Sequence, residues 1–527
     1  MNSGHETRLD RLGQAGQHHL LRSGLKGLEK ESLRMSPAGK LAQTPHPKAL
    51  GSALTHPSIT TDYSEALIEL ITPPSPDAAT ALGQLEDLHT FVYRHLGDEF
   101  LLANSMPCGI AGDDSIPIAR YGTSNIGQMK HVYRRGLAYR YGRAMQVIAG
   151  LHFNYSVDED LWPALQKLAG NTDPLAQFIA DGYFGAVRNV HRHVWLPIYL
   201  FGSSPAVSKS FFAGREQIAA AFPEFDAGTL FRPYATSLRM SDIGYRNDSQ
   251  ASLDISFDKL DDYVASLTAA IGQPYPEYER IGIKVDGEYR QLNANILQIE
   301  NEYYSSVRPK QVARSGEKPT LALKRRGVRY LELRCMDLGW RSPVGVGLDE
   351  LRFLEIFMLY CVLADSPFLS VAEKAEASRN SLAVACCGRT PGFRLFRAGA
   401  EVPLKDWAYE ILGGMRAVAK ALDGHDPERP YARCLDAKEA SIADPDKTPS
   451  ALLLEEMSGN RESYEEYTLR LSRRHAATLR DRPLSAETLR RFTREAEASW
   501  EEQRRVEAAD RVSFDEYIQA YFAQAGG

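Results

Sequence analysis

Residues 24–35 read GLKGLEKESLRM, and the alternation inside this stretch decides the fold. Successive side chains of a β-strand point to opposite faces, so Glu29 and Glu31 share one face while Leu28 and Lys30 occupy the other. Two carboxylates side by side on one face need a cation. The segment DYSEALIELITP, residues 62–73, repeats the theme: Glu69 sits inside the apolar run ALIELI, with Leu67 and Ile71 on its face and Ile68 and Leu70 on the opposite one. A charge in that setting is costly unless it is paired or bound to a metal.

The same pattern recurs further along. GLHFNYSV groups His152, Asn154 and Ser156; ILQIENEYY groups Gln298, Glu300 and Glu302; GVRYLELRCMDL groups Tyr330, Glu332 and Arg334, each opposite an apolar face. One such segment alone reads as a half-buried strand facing water. Five with the same bias, and so few Thr and Lys among them, predict one sheet whose concave polar face is a reaction chamber. Clustered carboxylates with a single His suit a hard divalent cation, Mg²⁺ or Mn²⁺, because zinc would want more nitrogen or sulfur. The pair His191 and His193 has no carboxylate at metal-ligand spacing, and no HExxH occurs. Mg²⁺ usually arrives with phosphates, and Arg334 beside Glu332 offers a planar fork for a γ-phosphoryl group. No GxxxxGK[ST] is present, so a nucleotide would bind through metals and arginines on a sheet.

The chain has 527 residues, 43% hydrophobic and 25% charged, which describes an ordinary soluble globular protein. A net charge of −6 gives no reason to expect a nucleic-acid partner. The first residues lack an apolar signal core, and no stretch reaches the ~18 apolar residues of a membrane span, so a cytoplasmic chain without membrane contact is expected. Six cysteines without CxxC spacing are expected to be reduced and structural. From about Gly24 to Pro343 short alternating segments mix with helical ones; beyond about Ala375 the pattern becomes helical. Tyr464, Tyr467, Leu471 and Leu479 keep one face, as do Leu489, Phe492, Ala496 and Trp500. Ser513 and Glu516 form a capping box ahead of Phe514, Tyr517, Ile518, Tyr521 and Phe522. The expected division is a catalytic domain over 1–375 and a helical region over 376–527 packed on it.

Residues 22–73, RSGLKGLEKESLRMSPAGKLAQTPHPKALGSALTHPSITTDYSEALIELITP, resemble the amino-terminal signature of the bacterial glutamate-cysteine ligases. SMPCGI, ARYGTSNIGQMKHVYRRGL, YLFGSSPA, PYATSLRMSDIGY, LQIENEYYSSVRPK and RYLELRCMDL are similar to further blocks of that family in the same order, and the resemblance spans essentially the whole chain. It implies an α+β, glutamine-synthetase-like fold, with a curved, mainly antiparallel sheet forming an acidic funnel and a helical C-terminal region. The implied reaction joins L-glutamate through its γ-carboxyl to L-cysteine with ATP and Mg²⁺, or Mn²⁺ in its place, through a γ-glutamyl phosphate; a monomer is implied. Carried over by position, the resemblance assigns Glu29, Glu31, Asp62, Glu69, His152 and Glu332 to metal and Arg334 to the γ-phosphate. Arg239 and Asn154 are assigned to glutamate, and Tyr63, Tyr133, Leu137, Gln146, Tyr245 and Tyr304 to cysteine. Asp62 is also the candidate for steering the amine. Tyr63 stands where a Phe is familiar, and Gln311 where a second basic residue is familiar. The competing readings are a ligase of the same fold using another amine, a metal-dependent phosphohydrolase, and a non-catalytic metal-binding protein.

Overall fold

The alternating stretch becomes the central strand of a seven-stranded sheet. In the computed structural model, which describes residues 4–244 and 248–524, β1 is Leu25–Met35, β2 Ile59–Thr61, β3 Leu67–Ile71, β4 Phe100–Leu101, β5 Leu151–Ser156, β6 Val307–Lys310 and β7 Tyr330–Met336. The order across the sheet is β6-β7-β5-β1-β3-β2, all antiparallel, with β4 joined to the last residues of β1. This is an α+β architecture in which each strand divides its side chains between two environments.

The apolar face carries Leu28, Ile68, Leu70, Phe153, Tyr155, Leu331 and Leu333, all buried in the main core. Behind it lie the helices Leu175–His193, Leu348–Leu363, Leu404–Asp423 and Pro430–Ala443. Lys26, on this face of β1, is tied to Glu355 of the Leu348–Leu363 helix by an ion pair buried at both ends. Glu355 also accepts a hydrogen bond from Tyr431 at 2.8 Å, so sheet and helices are cross-linked through one carboxylate. The charged face is roofed by the helix Asn125–Tyr141, by the segment 299–319 and by the last helix, Phe514–Ala523. Ser124 caps the first of these through the Gly127 N–H, and the Ser513–Glu516 capping box opens the last. Ile518 and Tyr521 pack on Met129 and Val132 in a small cluster separate from the main core.

Four of the five charged-face segments are strands of this sheet. ILQIENEYY is not: Glu300–Glu302 is a turn of 3-10 helix. Its polar side chains are consumed locally, Gln298 accepting from the Leu292 N–H at 2.9 Å and Glu302 accepting from the Gln298 N–H at 2.6 Å. Such side-chain to backbone bonds compete with a strand ladder. The C-terminal region is helical as its periodicity predicts, with Tyr464, Tyr467, Leu471, Leu479, Phe492 and Ala496 buried. The exception is the short hairpin Arg394–Arg397 with Ala400–Pro403. The helix Val371–Cys387 runs through residue 375, and one apolar cluster takes in residues from both sides of it. All six cysteines are free. Among the described residues no helix is long and apolar enough to cross a membrane.

Candidate active site

Strand register assembles the acidic trough. Glu31 lies directly opposite Glu69, Glu29 opposite His152, and Asn154 opposite Glu332. Directly opposed residues share a face, so these carboxylates converge without any help from loops. His152 Nδ1 stands 3.4 Å from Glu29 Oε2 and 3.6 Å from Glu332 Oε1, and its Nε2 is 3.9 Å from Glu31 Oε1. Asn154 Nδ2 donates to Glu29 Oε1 at 2.8 Å, and the Gly150 N–H donates to Glu31 Oε2 at 2.7 Å. Glu29, His152 and Glu332 each offer one ligand atom within 4.8 Å of the others, a spacing that fits a single cation.

Cations flank the trough on both sides. At the β6 edge Arg308 is opposite Glu332; Lys310 Nζ lies 3.2 Å and Arg334 Nη1 3.0 Å from the Glu332 carboxylate. Toward the β2 and β3 edge, the roof helix Asn125–Tyr141 brings down Lys130 and Arg134. Arg134 donates to the Asp62 carbonyl and comes within 4.0 Å of its carboxylate. Tyr121 donates to the same carbonyl at 2.8 Å, fixing Asp62 from behind.

Protonation follows from this crowding. Burial, then the Asp62 charge, pushes the Glu31 carboxyl from 4.5 up to about 8. Burial with Glu29, Asp62 and Glu31 nearby holds Glu69 well above the ordinary value. Burial acts against the ionised form of Glu332 too, but Arg334, Lys310, His152 and Arg308 outweigh it and keep that carboxyl well below the usual range. Glu29 also ends below its ordinary value despite burial, through the His152 hydrogen bond. His152 itself is held down by burial and by Arg334. Between about 4.5 and about 8 the folded chain keeps on Glu31 a proton that the unfolded chain has lost, so stability falls as pH rises through that window. The melting temperature of EDTA-treated protein is therefore expected to decline across it, and added Mg²⁺ to flatten the decline by displacing the protons. The same slope with and without Mg²⁺ would remove these carboxylates from cation binding.

Most of the residues assigned from sequence meet in one place. A cavity of about 400 Å³ is lined by Glu29, Glu31, Asp62, Glu69, His152, Glu332 and Arg334, together with Tyr63, Tyr133, Leu137, Gln146 and Tyr304. Asn154 joins through its bond to Glu29. Arg239 is buried at the end of the trough, donates to the Arg334 carbonyl at 3.0 Å, and opens with Arg334 and Tyr304 onto a second cavity of about 630 Å³. It reaches that position across Gly150, where a Cβ would fall 2.1 Å from the guanidinium. Tyr245 lies outside the described residues. Glu300 and Glu302 line the same cavity, with Glu302 held by Arg140 at 2.9 Å and Tyr141 at 2.6 Å. Beyond the opposite ends of the strands a larger cavity, about 1330 Å³, is lined by Ser156, Gln311, Val328 and Arg329 among others.

Sequence reasoning missed Arg308 and Lys310, although their period-two spacing in VRPK was available. It also missed Lys130 and Arg134, one helical turn apart on the stripe that carries Tyr133 and Leu137. Tyr517 and Tyr521, read as core packing, line the chamber from the last helix.

A family model described as glutamate-cysteine ligase matches residues 9–384. A glutamate-cysteine ligase of Pseudomonas putida is 49% identical over 504 residues, 96% of this chain and 95% of its own length. One of Azotobacter vinelandii is 49% identical over 523 residues, covering 99% and 98%. Among solved structures, a glutamate-cysteine ligase of Francisella tularensis in complex with AMP superposes with a TM-score of 0.88 at 37% identity, covering 95% of this chain and 97% of that one. A bifunctional glutathione synthetase of Pasteurella multocida shares the fold, with a TM-score of 0.74 at 24% identity over 94% of this chain and 58% of that one.

Proposed function

The chain belongs to the glutamate-cysteine ligase family, and from that premise we propose that the carboxylate trough is where its reaction takes place. The reaction is the ATP-dependent joining of L-glutamate, through its γ-carboxyl, to L-cysteine, giving γ-glutamylcysteine, the first step of glutathione synthesis. A carboxylate does not react usefully with an amine, because the leaving group would be oxide. Transfer of the γ-phosphoryl group to the γ-carboxylate makes an acyl phosphate whose leaving group is phosphate, and the cysteine amine displaces it.

The observation that carries the assignment is the directly opposed pair Glu31 and Glu69 beside the Glu29, His152 and Glu332 cluster, with Arg334 on the same face. Glu29, Glu31, Asp62, Glu69, His152 and Glu332 are the residues that would hold Mg²⁺ or Mn²⁺. Raised Glu31 and Glu69 carboxyls crowded together are the chemistry of a site that takes cations in exchange for protons. Bound there, a divalent cation neutralises phosphate oxygens. Arg334 balances charge on the transferring group, and Arg239 with Asn154 orients glutamate, Arg239 from the strand ends where it meets Arg334. The nucleotide then extends the other way, past Lys310 and Tyr330, into the 1330 Å³ cavity. Tyr63, Tyr133, Leu137, Gln146 and Tyr304 enclose cysteine, Tyr245 is assigned to it by resemblance alone, and Asp62 steers its amine.

A glutamate analogue with an alkyl sulfoximine in place of the γ-carboxylate tests the acyl-phosphate route, since it offers a tetrahedral centre and a nitrogen that accepts phosphate. Preincubation with MgATP is expected to give inhibition that survives dilution, with phosphate found on the bound inhibitor by mass measurement. Weak, reversible inhibition unaffected by MgATP would rule that route out. ADP release that needs glutamate but no amine would turn the assignment toward phosphohydrolysis.

A further inference from the structure

Arg239 reaches the trough from a segment that is buried but almost without regular structure. Residues 235–239, ATSLR, are all buried, and their strand pairing with the rest of the fold is a single bridge from Ser237 to Ser204. Backbone placed in a core outside a helix or sheet has to find its partners elsewhere. The N–H groups of Thr236 and Ser237 donate to the Ala385 carbonyl at 3.0 and 3.2 Å, and that of Leu238 to the Ser204 carbonyl at 2.7 Å. The next two, those of Arg239 and Met240, go to side-chain hydroxyls, Ser204 Oγ at 3.4 Å and Ser237 Oγ at 3.2 Å.

Both hydroxyls are aimed by one carboxylate. Asp337, the residue after β7, is buried; Ser204 Oγ donates to its Oδ2 at 2.7 Å and Ser237 Oγ to its Oδ1 at 2.8 Å, while the Ser203 N–H donates to Oδ2 at 2.8 Å. A serine hydroxyl has one proton, and spending it on Asp337 leaves its lone pairs for the backbone N–H groups. Burial raises the Asp337 carboxyl above its ordinary value, against the pull of the Arg239 charge and of the three donors. At the far end of its side chain, the Arg239 guanidinium donates to the Arg334 carbonyl. One strand end therefore holds Arg239 at both its backbone and its tip.

Resting on the ligase reading above, in which Arg239 orients glutamate, we propose that Asp337 is the positioning residue for that arginine. Through Ser204 and Ser237 it sets the backbone of Arg239, and with it the placing of the donor substrate relative to Arg334. β7 and the residue after it then carry both the arginine assigned to phosphate and the carboxylate that aligns the arginine assigned to glutamate.

Asp337→Asn keeps the shape but turns one acceptor into a donor, so one of the two hydroxyls loses its aim. In the full-length enzyme it is expected to raise the KM for glutamate roughly ten- to a hundredfold, the range spanned by hydrogen bonds to charged groups. The KM values for ATP and cysteine should stay within about twofold of wild type. Arg239→Lys should raise the same constant, and the double variant should lose no more than about twofold beyond the worse single one, because residues acting through one network do not add. Fold losses that multiply in the double variant would overturn the assignment. So would an unmoved KM for glutamate in Asp337→Asn, or equal rises in all three KM values, which would mark a general loosening of the fold. Should Asp337→Asn fail to fold, Ser237→Ala, which removes one of the two links, carries the same test: a rise confined to glutamate supports the proposal, and a general rise or none overturns it. If Arg239→Lys alone leaves the KM for glutamate unmoved, the glutamate role of Arg239 falls. If wild type forms no γ-glutamylcysteine, the ligase reading falls; either takes this inference with it.

Discussion

Replacing Glu29 by glutamine is expected to lower kcat by about a thousandfold or more, the scale of several kcal/mol of lost charge stabilisation, while the protein stays folded. Glutamine keeps the shape, and its carbonyl oxygen can still accept from Asn154 Nδ2, which now lies 2.8 Å from Glu29. What disappears is the charge shared with His152 and Glu332 around the proposed cation position. Glu332→Gln should be as inactive but also less stable, since Lys310, Arg334 and His152 all lean on that one buried carboxylate. Turnover against Mg²⁺ concentration, with thermal melts of both variants, separates the two effects. An unchanged Mg²⁺ titration and near-normal kcat in Glu29→Gln would eliminate it as a ligand.

Arg334→Lys is expected to cost about a hundredfold in kcat, comparable with removing one transition-state donor, with little change in the KM for cysteine. Lysine keeps the charge but replaces a planar fork by a point donor. The guanidinium already spends one arm on Glu332 at 3.0 Å, so the grip on a phosphoryl oxygen proposed for it would depend on the fork. A loss confined to the KM for cysteine would move Arg334 to the acceptor side.

How much of this could be read from the sequence followed from how each residue is placed. Glu29, Glu31, Glu69, His152, Asn154 and Glu332 were legible because period-two alternation fixes the face of a strand before any tertiary contact exists. Their convergence was not, since register between β1, β3, β5 and β7 is a long-range fact; grouping them rested on shared bias and on family resemblance. Glu302 shows the limit: it lines the chamber as alternation suggested, but from a 3-10 turn and not a strand, with Arg140 and Tyr141 holding its carboxylate. Lys130 and Arg134 were invisible for the opposite reason. Their helix is only weakly amphipathic, and nothing local says that one polar stripe faces a cavity instead of water.

The ion pair between Lys26 and Glu355 has a consequence for how the chain is made. These partners are 329 residues apart, and β7, the strand that delivers Glu332 to the trough, begins at Tyr330. At ribosomal speeds, roughly 15–65 s pass between emergence of the first partner and of the second. Through that interval Lys26 has no anion to accompany it into the core, and the sheet lacks the strand between β5 and β6. The nascent amino-terminal half therefore carries open strand edges until β7 and Glu355 have both emerged, and the sheet cannot close before then.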